Sequence, residues 1–118
     1  MGAHVLLVDD YVPVRQRARE ILLEAHPETV ITEAGSAADA RRLVVAQTWD
    51  VAVIDFNLPD ESALDVLGQL ARQRPRPRII VVSALPSFIY EIAARDAGAD
   101  EFIPKEELDR RLVHAVFD

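Results

Sequence analysis

A doubly wound α/β domain, one parallel sheet with helices on both faces, is the fold class that three features of this 118-residue sequence predict. Short β-branched and aliphatic runs without polar alternation, at His4 to Val8, Val51 to Ile54 and Ile79 to Val82, suit strands covered on both faces. Longer amphipathic stretches alternate with them, and five such β-α units imply a parallel sheet between helix layers. No repeat, low-complexity tract or linker interrupts the chain. The breaker-rich Arg74-Pro75-Arg76-Pro77-Arg78 is too short to separate domains, so residues 1–118 are expected to form one.

The elements follow in order. After the strand at His4 to Val8, Pro13 suits the first turn of a helix with apolar positions Val14, Ala18, Ile21, Leu22 and Ala25, stopped at Pro27. Thr29 to Glu33 reads as a weaker strand. Ser36, with Asp39 three residues on, resembles a capping arrangement ahead of Ala40, Leu43 and Val44. Val51 to Ile54 is the third strand, and Ser62 precedes a helix carrying Leu64, Val66, Leu67 and Leu70. Beyond the strand at Ile79 to Val82, a fourth helix is expected from about Ser87 to Ala97, with Gly98 as a left-handed cap. Glu101 to Ile103 is a very short strand closed by Pro104, which fits a sheet edge. A fifth helix is expected from near Glu106, carrying Leu108, Leu112, Val113 and Val116.

Composition narrows the function. Half the residues are hydrophobic and 28% are charged, which argues against disorder. Thirteen Lys and Arg against twenty Asp and Glu leave a net charge of -7, so phosphate backbones and anionic membranes repel the chain. Direct nucleic-acid binding and membrane binding are therefore not expected. The absence of cysteine excludes disulfides, thiolate chemistry and Cys-ligated metal sites. The opening residues show neither a signal-peptide nor a membrane-span pattern, so a cytoplasmic protein is expected. Twelve of the thirteen basic residues are arginine, which singles out Lys105.

Ligands of such folds sit outside the carboxyl ends of the strands. There the sequence places Asp9 and Asp10 after the first strand, Asp55 after the third, Ser83 after the fourth and Lys105 after the fifth. Three aspartates brought together repel by roughly 4 kcal/mol per contacting pair at an effective dielectric of 20. Such a cluster raises pKa values or admits a cation. Carboxylates without His or Cys favour a hard, oxygen-seeking ion, of which Mg2+ is the obvious candidate. A lysine adds a point charge for phosphate oxygens and a serine a neutral donor. Together they make a phosphoryl-transfer site with a carboxylate nucleophile, and Asp55, alone at the central strand, is the best candidate for it.

These residues resemble the receiver domains of two-component response regulators, similar in fold to the bacterial chemotaxis regulator. The resemblance rests on Val8-Asp9-Asp10, Asp55-Phe56-Asn57-Leu58-Pro59, Val82-Ser83-Ala84 and Ala97-Gly98-Ala99-Asp100-Glu101-Phe102-Ile103-Pro104-Lys105, and covers essentially the whole chain. It implies a five-stranded sheet of flavodoxin-like order 2-1-3-4-5. It also implies that Asp55 accepts a phosphoryl group from a phosphohistidine on a sensor histidine kinase or phosphotransfer protein, the domain catalysing its own modification without being a turnover enzyme. Mg2+ would be bound by Asp10 directly, by Asp9 mainly through water, by Asp55, and by the backbone carbonyl of Asn57. Ser83 would swing to the acyl phosphate, Lys105 would pair with a phosphate oxygen, and Phe102 would be the aromatic that turns inward as Ser83 moves. The face of the fourth helix, fifth strand and fifth helix would carry the output to a partner or output domain, and a homodimer through it is one expected use.

Departures accompany the resemblance. Ser62-Ala63 stands where the family has Asp-Gly, which restricts the backbone entering the third helix. Pro104 precedes Lys105, and Glu106 follows it where many members have proline. Leu85, two residues past Ser83, lies where family members control water access, so an apolar side chain there is expected to slow hydrolysis.

Plainer readings stand beside these. Asp9 and Asp10 could cap the first helix, Asp55 could be a solvated strand end, Ser83 a turn residue, Lys105 a surface lysine and Phe102 plain core. His4, His26 and His114 have no ligand spacing. Ile89 and Ile92 can face the sheet, but Phe88-Ile89-Tyr90 goes most of the way round a helix turn, leaving at least one of Phe88 and Tyr90 exposed. Those two are either satellite packing or a partner surface. Among other functions, an aspartyl-nucleophile phosphatase wants a second acid where Asn57 stands. A nucleotide or flavin binder wants a glycine-rich loop where Asp9-Asp10-Tyr11-Val12-Pro13 is acidic. A phosphorylation-independent interaction module on the same fold is the remaining alternative.

Overall fold

The computed structural model describes residues 2–85 and 87–118. Five parallel strands, β1 (His4–Val8), β2 (Val30–Ala34), β3 (Val51–Asp55), β4 (Arg78–Ser83) and β5 (Glu101–Pro104), form one sheet in the order β2-β1-β3-β4-β5. The helices are α1 (Val12–Ala25), α2 (Ala37–Ala46), α3 (Ala63–Ala71), α4 (Phe88–Asp96) and α5 (Arg110–Phe117). This is the predicted doubly wound architecture and strand order.

Alternation along the strands divides the core. Leu6, Val8, Ile54, Ile79, Val81 and Phe102 face α2, α3 and α4, while Val5, Leu7, Val53, Ile80, Val82 and Ile103 face α1 and α5. Each large side chain buried this fully stabilises the fold by roughly 1.5–3 kcal/mol. The unalternating apolar runs thus have their cause, since each strand face has its own helix layer. Trp49, which periodicity did not single out, is buried between α2 and β3 and donates its indole N–H to the Leu43 carbonyl at 3.1 Å.

Local signals act much as expected. The Ser36 and Ser62 hydroxyls accept from Asp39 N and Leu64 N, capping α2 and α3. Gly98 has φ 121°, and a Cβ there would lie 2.8 Å from the Ala71 methyl. Several boundaries move. β2 begins at Val30, because the Thr29 hydroxyl closes the preceding turn on the His26 carbonyl at 2.8 Å. Lys105–Glu107 form one 3-10 turn and α5 begins only at Arg110, because Leu108 leaves helical geometry (ψ 94°) while its side chain stays buried. Ala25 is exposed rather than core.

The orientation of α4 differs from expectation. Ile89 and Ile92 face away from the sheet, and the inner side of the helix belongs to Tyr90, Ala94 and, just beyond its end, Ala97. Small alanines let the helix approach the strands closely, and the branched side chains turn outward.

Candidate functional site

The sheet brings the chemistry-bearing strand ends to one rim. β1 lies beside β3 with Val8 opposite Ile54, and β3 beside β4 with Asp55 opposite Val82. Ser83 pairs with Pro104 at the end of β5, the residue before Lys105. Carboxylate oxygens of Asp9, Asp10 and Asp55 consequently lie within 4.8 Å of one another, Asp9 and Asp55 buried and Asp10 exposed.

Lys105 enters between the two buried acids. Its Nζ stands 3.0 Å from Asp9 Oδ2 and 3.3 Å from Asp55 Oδ2. The remaining oxygens are held by the main chain: Tyr11 N donates to Asp9 Oδ1 at 2.9 Å and Asn57 N to Asp55 Oδ1 at 3.2 Å. Burial first, then the charge of Asp9, push the Asp55 carboxyl up from 3.8 to about 6, against the opposing pull of Lys105 and the Asn57 amide. For Lys105, burial works to lower the pKa, but contact with Asp9 and the charges of Asp55 and Asp9 outweigh it, and the ammonium is held above its ordinary range.

Three carboxylates and one ammonium leave two negative charges at the rim. Asp9 Oδ2 is buried without a hydrogen bond, so an acceptor remains to be satisfied beyond its ion-pair contact with Lys105. An all-oxygen donor set with that charge fits a hard divalent cation such as Mg2+.

Other predicted residues fall nearby. Ser83 is fully buried, and its hydroxyl is engaged by its own loop, donating to Leu85 O at 3.1 Å and accepting from Leu85 N at 3.2 Å. Phe102 already lies inside, its ring edge-on to Phe56 at 6.5 Å, so no inward turn remains for it from this arrangement. Phe88 is 78% exposed, but Tyr90 does not share its surface: the Tyr90 ring packs on Phe56 at 5.1 Å. The apolar surface is instead Leu85, Phe88, Ile89 and Ile92. Beside it an open depression of about 290 Å³ is lined by Ser87, Phe88, Glu91, Phe102, Pro104 and Arg111.

Two residues near the rim escaped sequence reasoning. Arg15 donates to the Asp9 carbonyl at 2.7 Å and to Glu33 at 2.8 Å, tying the start of α1 to β1 and β2. Asp60 accepts from Ala37 N and Ala38 N at 2.9 and 3.0 Å, and these two bonds hold its carboxyl below the usual range. Nothing in their local sequence distinguished either from an ordinary surface charge.

A sequence model of the response regulator receiver domain matches residues 5–117, and the chain belongs to that family, the signalling domains of two-component systems. It is 31% identical over 119 residues to the chemotaxis protein CheY of Thermotoga maritima, covering 98% of this chain and 96% of that protein. It is 37% identical over 115 residues to the transcriptional activator DevR/DosR of Mycobacterium tuberculosis, covering 97% of this chain and 52% of that protein. In fold it matches a response regulator of Burkholderia pseudomallei with a TM-score of 0.85 at 24% identity, over 98% of this chain and 66% of the other. The chain spans about a fifth to a half of the length of the curated transcriptional regulators it first matches. No helix among the described residues is long and apolar enough to cross a membrane.

Proposed function

We propose that Asp55 accepts a phosphoryl group from a phosphohistidine of a sensor histidine kinase or phosphotransfer protein, and that residues 1–118 act as one phosphorylation-activated switch. The observation that carries this reading is Lys105 Nζ placed between the buried carboxylates of Asp9 and Asp55. A carboxylate oxygen of Asp55 forms the new O–P bond, the P–N bond of the donor breaks, and its electron pair stays on the imidazole, which takes up a proton. Asp9, Asp10, Asp55 and the Asn57 carbonyl would hold Mg2+, which when bound neutralises charge on the phosphoryl oxygens. Lys105 exchanges a carboxylate partner for a phosphoryl oxygen, and Ser83 gives up its bonds within the Ser83–Leu85 loop to donate there. The fold-similar Burkholderia pseudomallei response regulator contains a phosphorylated aspartic acid and a calcium ion, which supports aspartyl phosphorylation as the chemistry proposed here.

The added charge, about -1.5 to -2, draws donors inward from the starts of the segments leading into α4 and α5. Output is read on the face of α4, β5 and α5, where Phe88 and its exposed neighbours meet a partner, an output domain or a second copy. The setting is cytoplasmic, and the domain itself contacts neither nucleic acid nor membrane. Incubation with acetyl phosphate, with and without Mg2+, tests the reading: the wild type gains the mass of one phosphate only with the metal, and Asp55→Asn gains none. Labelling of Asp55→Asn equal to wild type would overturn it.

A further inference from the structure

The loop that carries Asn57 is held in place by side chains. Among the described residues, none from 57 to 61 makes a main-chain to main-chain hydrogen bond outside helices and strands. Asp60 instead spans to the first two residues of α2, one carboxylate oxygen on Ala37 N and the other on Ala38 N. Glu61 pairs with Arg41 of the same helix at 2.9 Å. The far end of this tether also reaches the acidic rim, because Asp9 N donates to Ala34 O, three residues before Ala37. The contacts close a circuit from the end of β1, through the end of β2 and the start of α2, across Asp60, and back to the loop following Asp55. The turn into α3 has a buried alanine, Ala63, and no glycine, and this cross-link acts together with Leu58, packed on the core, and the Asn57 amide on Asp55 in shaping the loop.

A carboxylate suits the task. The first N–H groups of a helix lack intrahelical acceptors and favour negative charge, and only a carboxylate offers two acceptor oxygens to two neighbouring donors. We infer that Asp60 is a positioning residue for the divalent-cation site, fixing the Asn57 segment relative to Asp9 through α2. The inference rests on the metal-binding reading above.

The test is an amide NMR titration of the 15N-labelled chain with MgCl2, paired with thermal melts in EDTA. Asp60→Ala is expected to weaken Mg2+ binding by about 10-fold, the usual effect of losing a partner that orients a metal ligand. Asp60→Asn, which keeps one acceptor, should weaken it by roughly 3-fold, and it carries the comparison if the alanine variant does not fold. Ser36→Ala is the control, removing the other cap of α2 without touching the loop. It should lower the melting temperature yet leave the Mg2+ affinity within about 2-fold of wild type. Unchanged affinity in both Asp60 variants, or equal weakening in Ser36→Ala, would overturn the positioning role. A wild type that shows no Mg2+-dependent shifts would instead remove the metal reading itself, and this inference with it.

Discussion

In the metal-free protein, burial and the charge of Asp9 work against the ionised Asp55 carboxylate, and Lys105 offsets only part of that. Because the folded carboxyl titrates near 6 and the free one near 3.8, the folded state holds the proton more tightly. Stability associated with that proton is fully present below 3.8 and lost as pH rises through 6. Relative to wild type in EDTA, Asp55→Asn should therefore differ little at pH 3.5 and be more stable at pH 7.5, by on the order of 1–2 kcal/mol once solvent screening is allowed for. Urea denaturation across that range checks it, and a flat difference would contradict the account. Lys105→Met leaves two buried carboxylates without their cation and should cost about 3 kcal/mol at pH 7.5. Most of that loss should return in the Asp55→Asn, Lys105→Met double variant, since the two sites share one interaction.

Helix α4 carries two apolar faces, one packed on the core and one exposed to solvent. Tyr90 packs on Phe56 while Phe88 and Ile89 stand 78% and 74% exposed. Tyr90→Ala should destabilise the protein by about 2 kcal/mol, as for a partly buried aromatic. Phe88→Asp and Ile89→Lys should move stability by less than about 0.5 kcal/mol. On the proposed use of this face by a second copy, both variants should sediment as monomers after phosphorylation under conditions where wild type self-associates. The far end of the helix is more constrained. Gly98→Ala must place a methyl against Ala71 at positive φ and should cost about 2 kcal/mol in chemical denaturation, more than an ordinary glycine replacement.

Across the molecule, the two core layers share one sheet whose central strands β1, β3 and β4 are almost entirely buried. Neither layer can open without exposing the other's backing, so unfolding should be a single cooperative step. Trp49 sits in the layer of α2 to α4, and far-UV circular dichroism averages both. Their urea midpoints should coincide, and separated midpoints would show that the α1–α5 side unfolds independently.

How much of this was legible beforehand differs by feature. The strands, the strand order implied by the family motifs and the polar residues ending each strand could all be read from the chain. A charged residue stopping an unalternating apolar run is a local pattern, and the parallel topology carries all such ends to one rim. Convergence of Asp9, Asp10, Asp55 and Lys105 follows from that rule. Other features depended on the path of the folded chain. The outward turn of Ile89 and Ile92, the burial of Trp49 and the inward packing of Tyr90 were settled by competition among apolar side chains for limited space, which periodicity cannot rank. The Arg15 and Asp60 contacts join segments up to 23 residues apart. Their partners include main-chain groups that every residue carries, so composition and spacing hold no trace of them until the backbone has brought both ends together.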